Sequence, residues 1–190
     1  MAKTDIKNAF RIVPLNKDQY KLTGVKFDGK YYIDLNLPQG ASSSCKIFES
    51  ISTAIEWIAK NKLNIPNIIH ILDDFWIAEK TKDHCAVQLK KFLNFCEEAG
   101  VPIAMDKTIG PYQVIEFVGI ELNSNTMCAR LPDQKIQKCR EKLETVLNKE
   151  ISNLKEIQEL AGLLNFACSV IYSGKTFIRR IYDVMVGRNS

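Results

Sequence analysis

Two histidines, no Cys-x-x-Cys pair and no long apolar run are the first limits this 190-residue sequence sets on its function. Cys45, Cys85, Cys96, Cys128, Cys139 and Cys168 are scattered, and neither His70 nor His84 completes a ligand set with them, which argues against a zinc site. No stretch approaches the ~18 consecutive apolar residues of a membrane-spanning helix. The opening Met1-Ala2-Lys3-Thr4-Asp5 has no apolar core of a secretory signal. Together these absences predict an intracellular protein, cytoplasmic or nuclear, with reduced thiols and no membrane partner. Strong charge of one sign is lacking too. Lys and Arg number 26 against 22 Asp and Glu, a net charge of +4, which permits nucleic-acid binding without demanding it. There is no internal repeat and no low-complexity tract. What is present is ordinary for a globular chain, 46% hydrophobic and 25% charged. At this length folding buries roughly 70% of the extended surface, enough for a core.

The first two thirds of the chain predict an α+β fold. Lys3 to Val13 is a mixed run stopped by Pro14. Leu22–Phe27 and Tyr31–Leu35 read as strands, and Asp28-Gly29 between them is a hairpin signal, since both turn positions need positive φ. Ser42-Ser43-Ser44 can cap a helix, and Ile47, Ile51, Ala54, Ile55 and Ile58 follow at helical spacing. Ile68 to Ala78 predicts two short buried strands with Asp73 and Asp74 at their bend. Thr81 to Glu98 predicts a helix with Leu89, Phe92, Leu93 and Cys96 inward and Gly100 past its end. Tyr112 to Leu122 is strand-rich, and Asn123-Ser124-Asn125 turns it into Thr126–Leu131. After Leu131 the pattern is helical and slightly more basic. Pro132 opens one helix, marked by Ile136, Cys139, Leu143, Val146 and Leu147. Ser152-Asn153 caps another, with Leu154, Ile157, Leu160, Ala161, Leu164 and Cys168 on its buried side. A Ser173-Gly174 break precedes a last helix through Phe177, Ile181 and Met185. The expected division is therefore 1–131 and 132–190.

Asp73-Asp74 is the feature that packing explains least. Two carboxylates stand in the strand-forming run Ile-Ile-His-Ile-Leu-Asp-Asp-Phe-Trp-Ile-Ala, and carboxylates are almost never buried unless paired or metal-bound. A solvent-facing turn would accommodate them equally well. Asp5, in Lys-Thr-Asp-Ile-Lys-Asn-Ala-Phe at another strand end, tips the balance, because carboxylates from neighbouring strands can bridge two divalent ions for phosphoryl transfer.

At this point the chain resembles reverse transcriptases, along nearly its whole length. Lys3–Leu15, KTDIKNAFRIVPL, looks like palm motif A. Leu37-Pro38-Gln39-Gly40 with the serine turn and Ile47-Phe48 looks like motif B. His70-Ile-Leu-Asp-Asp-Phe75 looks like motif C, and Gly100–Thr108, GVPIAMDKT, is similar to motif D. Glu116–Leu122, EFVGIEL, looks like the primer grip, and Leu154–Ala167 is similar to the thumb helix that tracks the minor groove. Each motif is short; six in order are specific. Ala129–Ile136, ARLPDQKI, most resembles retrotransposons that carry a tyrosine recombinase.

The resemblance implies an antiparallel palm sheet backed by two helices, near 43–60 and 82–98, followed by a helical thumb. It implies RNA-directed DNA polymerisation with a primer–template and deoxynucleoside triphosphates as partners. Magnesium, or manganese in its place, would be held by Asp5, Asp73 and Asp74, with the Ile6 carbonyl as a further ligand. Ile6, Ala9, Phe10, Gln39 and Gly40 would meet the incoming nucleotide. Phe10 would be the steric gate against a ribose 2′-hydroxyl, although a strand phenylalanine by itself reads as core. Lys107 would protonate the leaving pyrophosphate, although alone it reads as a surface charge. Phe117, Val118 and Gly119 would place the primer end. Gln158, Gly162 and Phe166, four apart on one helix face, would meet the minor groove, with helix packing an equal reading for Phe166. Only four residues precede Asp5, so the basic fingers of the family are expected to be missing or incomplete, with only the Asp28-Gly29 hairpin supplying their later part. Fingers, RNase H and recombinase domains are then expected elsewhere in a parent polyprotein. Two rival readings are a catalytically inactive nucleic-acid-binding or interaction module with the same palm, and another two-metal palm enzyme such as a nucleotidyl cyclase, which would need neither primer grip nor thumb.

Overall fold

The computed structural model describes residues 1–186, and the chain divides into two compact units that meet in sequence at Val118 and Gly119. In the first unit β1 is Ala2–Asp5, β2 Gly24–Phe27, β3 Lys30–Ile33, α1 Ser44–Asn61, β4 Ile68–Ile71, β5 Asp74–Ile77, α2 Lys82–Glu98 and β6 Val114–Phe117. The central sheet runs β1-β5-β4, antiparallel throughout, with α1 and α2 packed on it. Between β1 and β2 the mixed run folds as 3-10 turns at Ala9–Ile12 and Lys17–Leu22. Leu22, read as strand, therefore ends a turn.

Local chemistry accounts for the elements. In β5, Phe75 and Ile77 are buried while Asp74 and Trp76 are half-exposed, the period of two that a half-covered sheet imposes. Asp28 and Gly29 have φ of 49° and 71°, the two positive values that a two-residue hairpin turn between β2 and β3 requires. The side chain of Thr81 accepts from the backbone N–H of His84 and caps α2. On α2 the buried face is Cys85, Leu89, Phe92 and Cys96, and Leu93 packs at its margin. Burial pushes the Cys96 thiol up to about 12.

The buried face of α1 differs from the sequence expectation. Phe48, Ser52, Ile55 and Ala59 face inward, while Ile47 and Ala54 are exposed and Ile51 and Ile58 lie at the flank. The helix is rotated by about one residue because Ser52 and Ala59, small enough to be completely buried, bring it close to the sheet, and Phe48 fills the space beside them. The core itself is aromatic and β-branched. Phe75 stacks obliquely on Phe92 at 5.1 Å between ring centroids, and Ile6, Ile65, Ile68 and Ile77 close around them.

The second unit begins at Gly119. Its elements are β7 Ile120–Asn123, β8 Cys128–Arg130, α3 Asp133–Leu147, α4 Leu154–Ala167 and α5 Gly174–Met185. The β7–β8 hairpin thus groups with the helices, upstream of the change in sequence character at Leu131. Pro132 is the residue before α3. Asn153 and Glu156 form a reciprocal capping box at the start of α4. Lys142 of α3 bonds Glu159 of α4 at 2.6 Å, and Lys149, in the loop after α3, bonds Glu156; each bond lowers its glutamate's pKa. The small core comprises Leu131, Leu160, Ala161, Ala167, Cys168 and Ile178. Ile178 is the buried residue of α5, whereas Phe177 is 75% exposed; Leu147, one of the residues that mark α3, is 78% exposed.

The packing gives a direct expectation. Phe92→Ala should destabilise the first unit by about 3–5 kcal/mol, because it empties the centre of a core with no exposure. Leu147→Ala should stay within about 0.5 kcal/mol. Urea unfolding followed by circular dichroism separates the two, and equal effects would contradict the core assigned here.

Candidate active site

Strand pairing builds the site. In the antiparallel register of β1 and β5, Asp5 stands opposite Asp74. The β4–β5 pairing ends at Ile71 opposite Asp74, which leaves Leu72 and Asp73 as a two-residue turn. Leu72 accepts a φ of 54° there, unusual for a non-glycine. The Ile6 N–H donates to the Asp73 carbonyl at 3.0 Å, so the chain leaving β1 is tied to that turn. The acidic bend expected from the sequence is present, and one strand end carries all three aspartates.

The segment 103–109 runs along the free side of β1. Lys3 and Ile109 exchange both backbone hydrogen bonds, at 2.9 and 3.0 Å, and the Ala104 N–H donates to the Asp5 carbonyl at 2.9 Å. Thr4 and Thr108 join through their hydroxyls at 2.7 Å. A 3-10 turn at Met105–Lys107 then presents Lys107, whose Nζ donates to Asp5 Oδ2 at 3.0 Å. Motifs A and D, a hundred residues apart, meet at this ion pair. Thr4, buried in β1, and Thr108 are site residues that no sequence pattern marks, since their bond joins residues 104 apart.

Electrostatics follow from the crowding. Asp74 is raised above the usual carboxylate range, first by burial and then by the charges of Asp73 and Asp5. The hydrogen bond from Lys107 to Asp5, and then the charge of Asp5, raise the lysine and keep it protonated. Among the described residues no three His, Cys, Asp or Glu side chains are already gathered as a ligand set. One Asp5 oxygen is occupied by the lysine. The donor set itself fits a hard divalent cation: carboxylate oxygens from two adjacent strands, with repulsion at Asp74 that a cation would relieve.

The other expected residues lie as follows. Ala9 is buried, and Phe10 is half-buried with its ring edge-on to Phe48 at 5.5 Å. Gln39 and Gly40 are exposed in the loop before α1, Gly40 with φ of 87°, and among the described residues no hydrogen bond joins them to the carboxylates. Ser44 anchors that loop by donating to the Pro38 carbonyl at 2.6 Å. Phe117 is buried against Trp76, and Val118 has a φ of 47°. Gly119 opens the second unit, where a Cβ would run into the Lys135 ammonium and come within 3.3 Å of the Phe166 ring. On α4, Gln158 and Gly162 are exposed, and Phe166 is half-buried under Lys135, whose Nζ is 4.1 Å from the ring centroid. A concavity of about 1000 Å³ in the first unit, lined mainly by apolar residues such as Leu89, Leu93, Val101 and Ile103 with Lys90 and Glu97 among them, contains none of Asp5, Asp73 and Asp74. Asp5 is buried, and Asp73 and Asp74 are half-buried.

Comparisons with known proteins agree with this geometry. The chain is 25% identical over 185 residues to the Pro-Pol polyprotein of simian foamy virus type 1, covering 97% of the chain and 15% of that polyprotein. It is 27% identical over 164 residues to a putative enzymatic polyprotein of cassava vein mosaic virus, covering 86% of the chain and 23% of the relative. The chain therefore spans a small part of the curated relatives it matches. A foamy viral protease–reverse transcriptase in complex with double-stranded DNA has the same fold, with a TM-score of 0.73 at 23% identity over 96% of this chain and 30% of that one. The same viral protein in complex with RNA/DNA hybrid gives 0.72 at 23% identity, over 94% and 24%. The description "Reverse transcriptase (RNA-dependent DNA polymerase)" matches residues 1–122, and the chain belongs to that family.

Proposed function

We propose that this chain is the palm and thumb of an RNA-directed DNA polymerase of a retroelement, which extends a DNA primer on an RNA or DNA template. The observation that carries the reading is the pairing of Asp5 with Asp74 beside the Asp73 turn, with Lys107 bonded to Asp5. Divalent ions bound at these carboxylates, magnesium or manganese, would lower the pKa of the primer 3′-hydroxyl and neutralise charge on the triphosphate. Asp5 and Asp73 are the proposed principal ligands, with Asp74 and the Ile6 carbonyl beside them. Lys107, protonated and adjacent, is placed to donate a proton to the departing pyrophosphate. Phe10 is the proposed gate, Gln39 and Gly40 the proposed nucleotide contacts, and Phe117, Val118 and Gly119 the proposed primer grip. Gln158, Gly162 and Phe166 form an amide, a bare backbone and a ring on one exposed side of α4, a surface suited to shape-based groove contact. The foamy viral structures with double-stranded DNA and RNA/DNA hybrid support duplex as the partner. The parent element is proposed to be a retrotransposon carrying a tyrosine recombinase, on the wording of residues 129–136. Six free cysteines suit an intracellular setting.

Two measurements test the reading. Duplex binding should fall steeply with salt, each neutralised phosphate adding about −0.9 to the slope of log K against log salt on DNA. No binding at low salt would favour an interaction module instead. Primer extension on an RNA template, with magnesium and deoxynucleotides, should depend on the aspartates, because catalysis of this kind rests on holding the triphosphate in line; a misplacement of about 1 Å costs on the order of 100-fold. Asp73→Asn should abolish extension. Extension that survives Asp73→Asn would contradict the reading.

A further inference from the structure

The β4 strand lies at the edge of the sheet order β1-β5-β4, so half of its backbone N–H groups have no strand to pair with. One of them, at His70, and the N–H of the turn residue Leu72 just past the strand are met by carboxylates from α1. The His70 N–H donates to Glu56 Oε2 at 3.1 Å, and the Leu72 N–H donates to Glu49 Oε2 at 3.1 Å. Glu49 and Glu56 are seven residues apart, two turns of α1, and so share a face. The imidazole of His70 sits between them with its side chain 8% exposed. Its Nδ1 bonds Glu56 Oε2, and its Nε2 lies 3.2 Å from Glu49 Oε1, within ion-pair distance but without hydrogen-bond alignment. Phe75 stacks on the ring at 5.5 Å and 25° between planes. Lys60, one turn beyond, donates to Glu56 Oε1 at 2.5 Å.

This is more than edge protection. Leu72 is the strained residue of the turn, and it is followed directly by Asp73 and Asp74. A backbone bond to Glu49 at Leu72 sets where that turn stands, and His70 holds Glu49 and Glu56 in place from the strand side. Burial alone would raise the Glu56 carboxyl, but hydrogen bonds from Lys60 and His70 outweigh it and hold the group low, so it remains an ionised acceptor for the His70 N–H.

We propose that His70, gripped by Glu49 and Glu56 of α1, is a positioning residue for the aspartate turn, acting on the metal site through Leu72 without touching it. The inference rests on the reading of Asp5, Asp73 and Asp74 as metal ligands. Outer partners that orient ligands typically account for about 10–100-fold in metal affinity. The test is titration of the 190-residue chain with manganese alone, followed by electron paramagnetic resonance. His70→Ala should weaken binding by about tenfold and broaden the bound-manganese spectrum, and Glu49→Gln should do so less. His70→Asn, whose amide can take the place of Nδ1, should recover part of the loss. Ile69→Ala, on the same strand but facing away from the clamp, controls for stability and should leave manganese affinity unchanged. Binding that is lost in Asp73→Asn but unaltered in His70→Ala would overturn this inference alone. So would an equal loss in Ile69→Ala. An absence of saturable binding by the parent chain, or binding indifferent to Asp73→Asn, would remove the metal reading and this inference with it.

Discussion

Two like charges stand directly across an antiparallel pair at Asp5 and Asp74. That arrangement is destabilising in itself, and much of the first unit is organised around tolerating it. The central strand β5 is held on both sides and packed by Phe75 and Ile77 into an aromatic core. Lys107 is brought from far along the chain to neutralise Asp5, and the 103–109 segment that carries it is fastened to β1 by backbone and threonine bonds. The aspartate turn is tied to Ile6 on one side and to Glu49 on the other. The crowding shows at Asp74, whose carboxyl is raised by burial and by the charges of Asp73 and Asp5.

The second unit follows a different logic. Its core is small; a capping box fixes the start of α4, and one lysine–glutamate bond, Lys142 to Glu159, joins α3 to α4. Exposed ion pairs contribute little individually. On α4, Gln158 and Gly162 are exposed, and Lys135 of α3 lies over the Phe166 ring.

Features encoded locally were legible in the sequence. The Asp28-Gly29 turn, the bend at Asp73-Asp74 and the cap at Asn153 depend on backbone preferences within a few residues, and each is present, whereas Ser43 stands before α1 without a side-chain capping bond. Features that depend on packing were less so. The inner face of α1 was read from its isoleucines, whereas the buried Ser52 and Ala59 set the actual contact, because close approach rewards small residues that carry no hydrophobic signal. Composition changes at Leu131, but the β7–β8 hairpin already belongs with the helices, since unit membership is decided by contacts and not by residue type. Of the candidate site, motif order assigns Asp5 and Lys107 separately; their direct bond joins residues 102 apart in sequence and lies outside any local pattern. The clamp at His70 escaped for the same reason: Glu49 and Glu56 look like an ordinary solvated helix face until β4 is laid beside them.

The central claim is that Asp5, Asp73 and Asp74 form one divalent-metal site, with Lys107 as its resident counter-charge in this structure. Anomalous diffraction from crystals of the chain soaked in manganese addresses it most directly. The account predicts anomalous peaks bounded by the Asp5 and Asp73 carboxylates, with Lys107 moved away from Asp5 Oδ2. Manganese bound only elsewhere, with the Lys107–Asp5 bond intact, would contradict it.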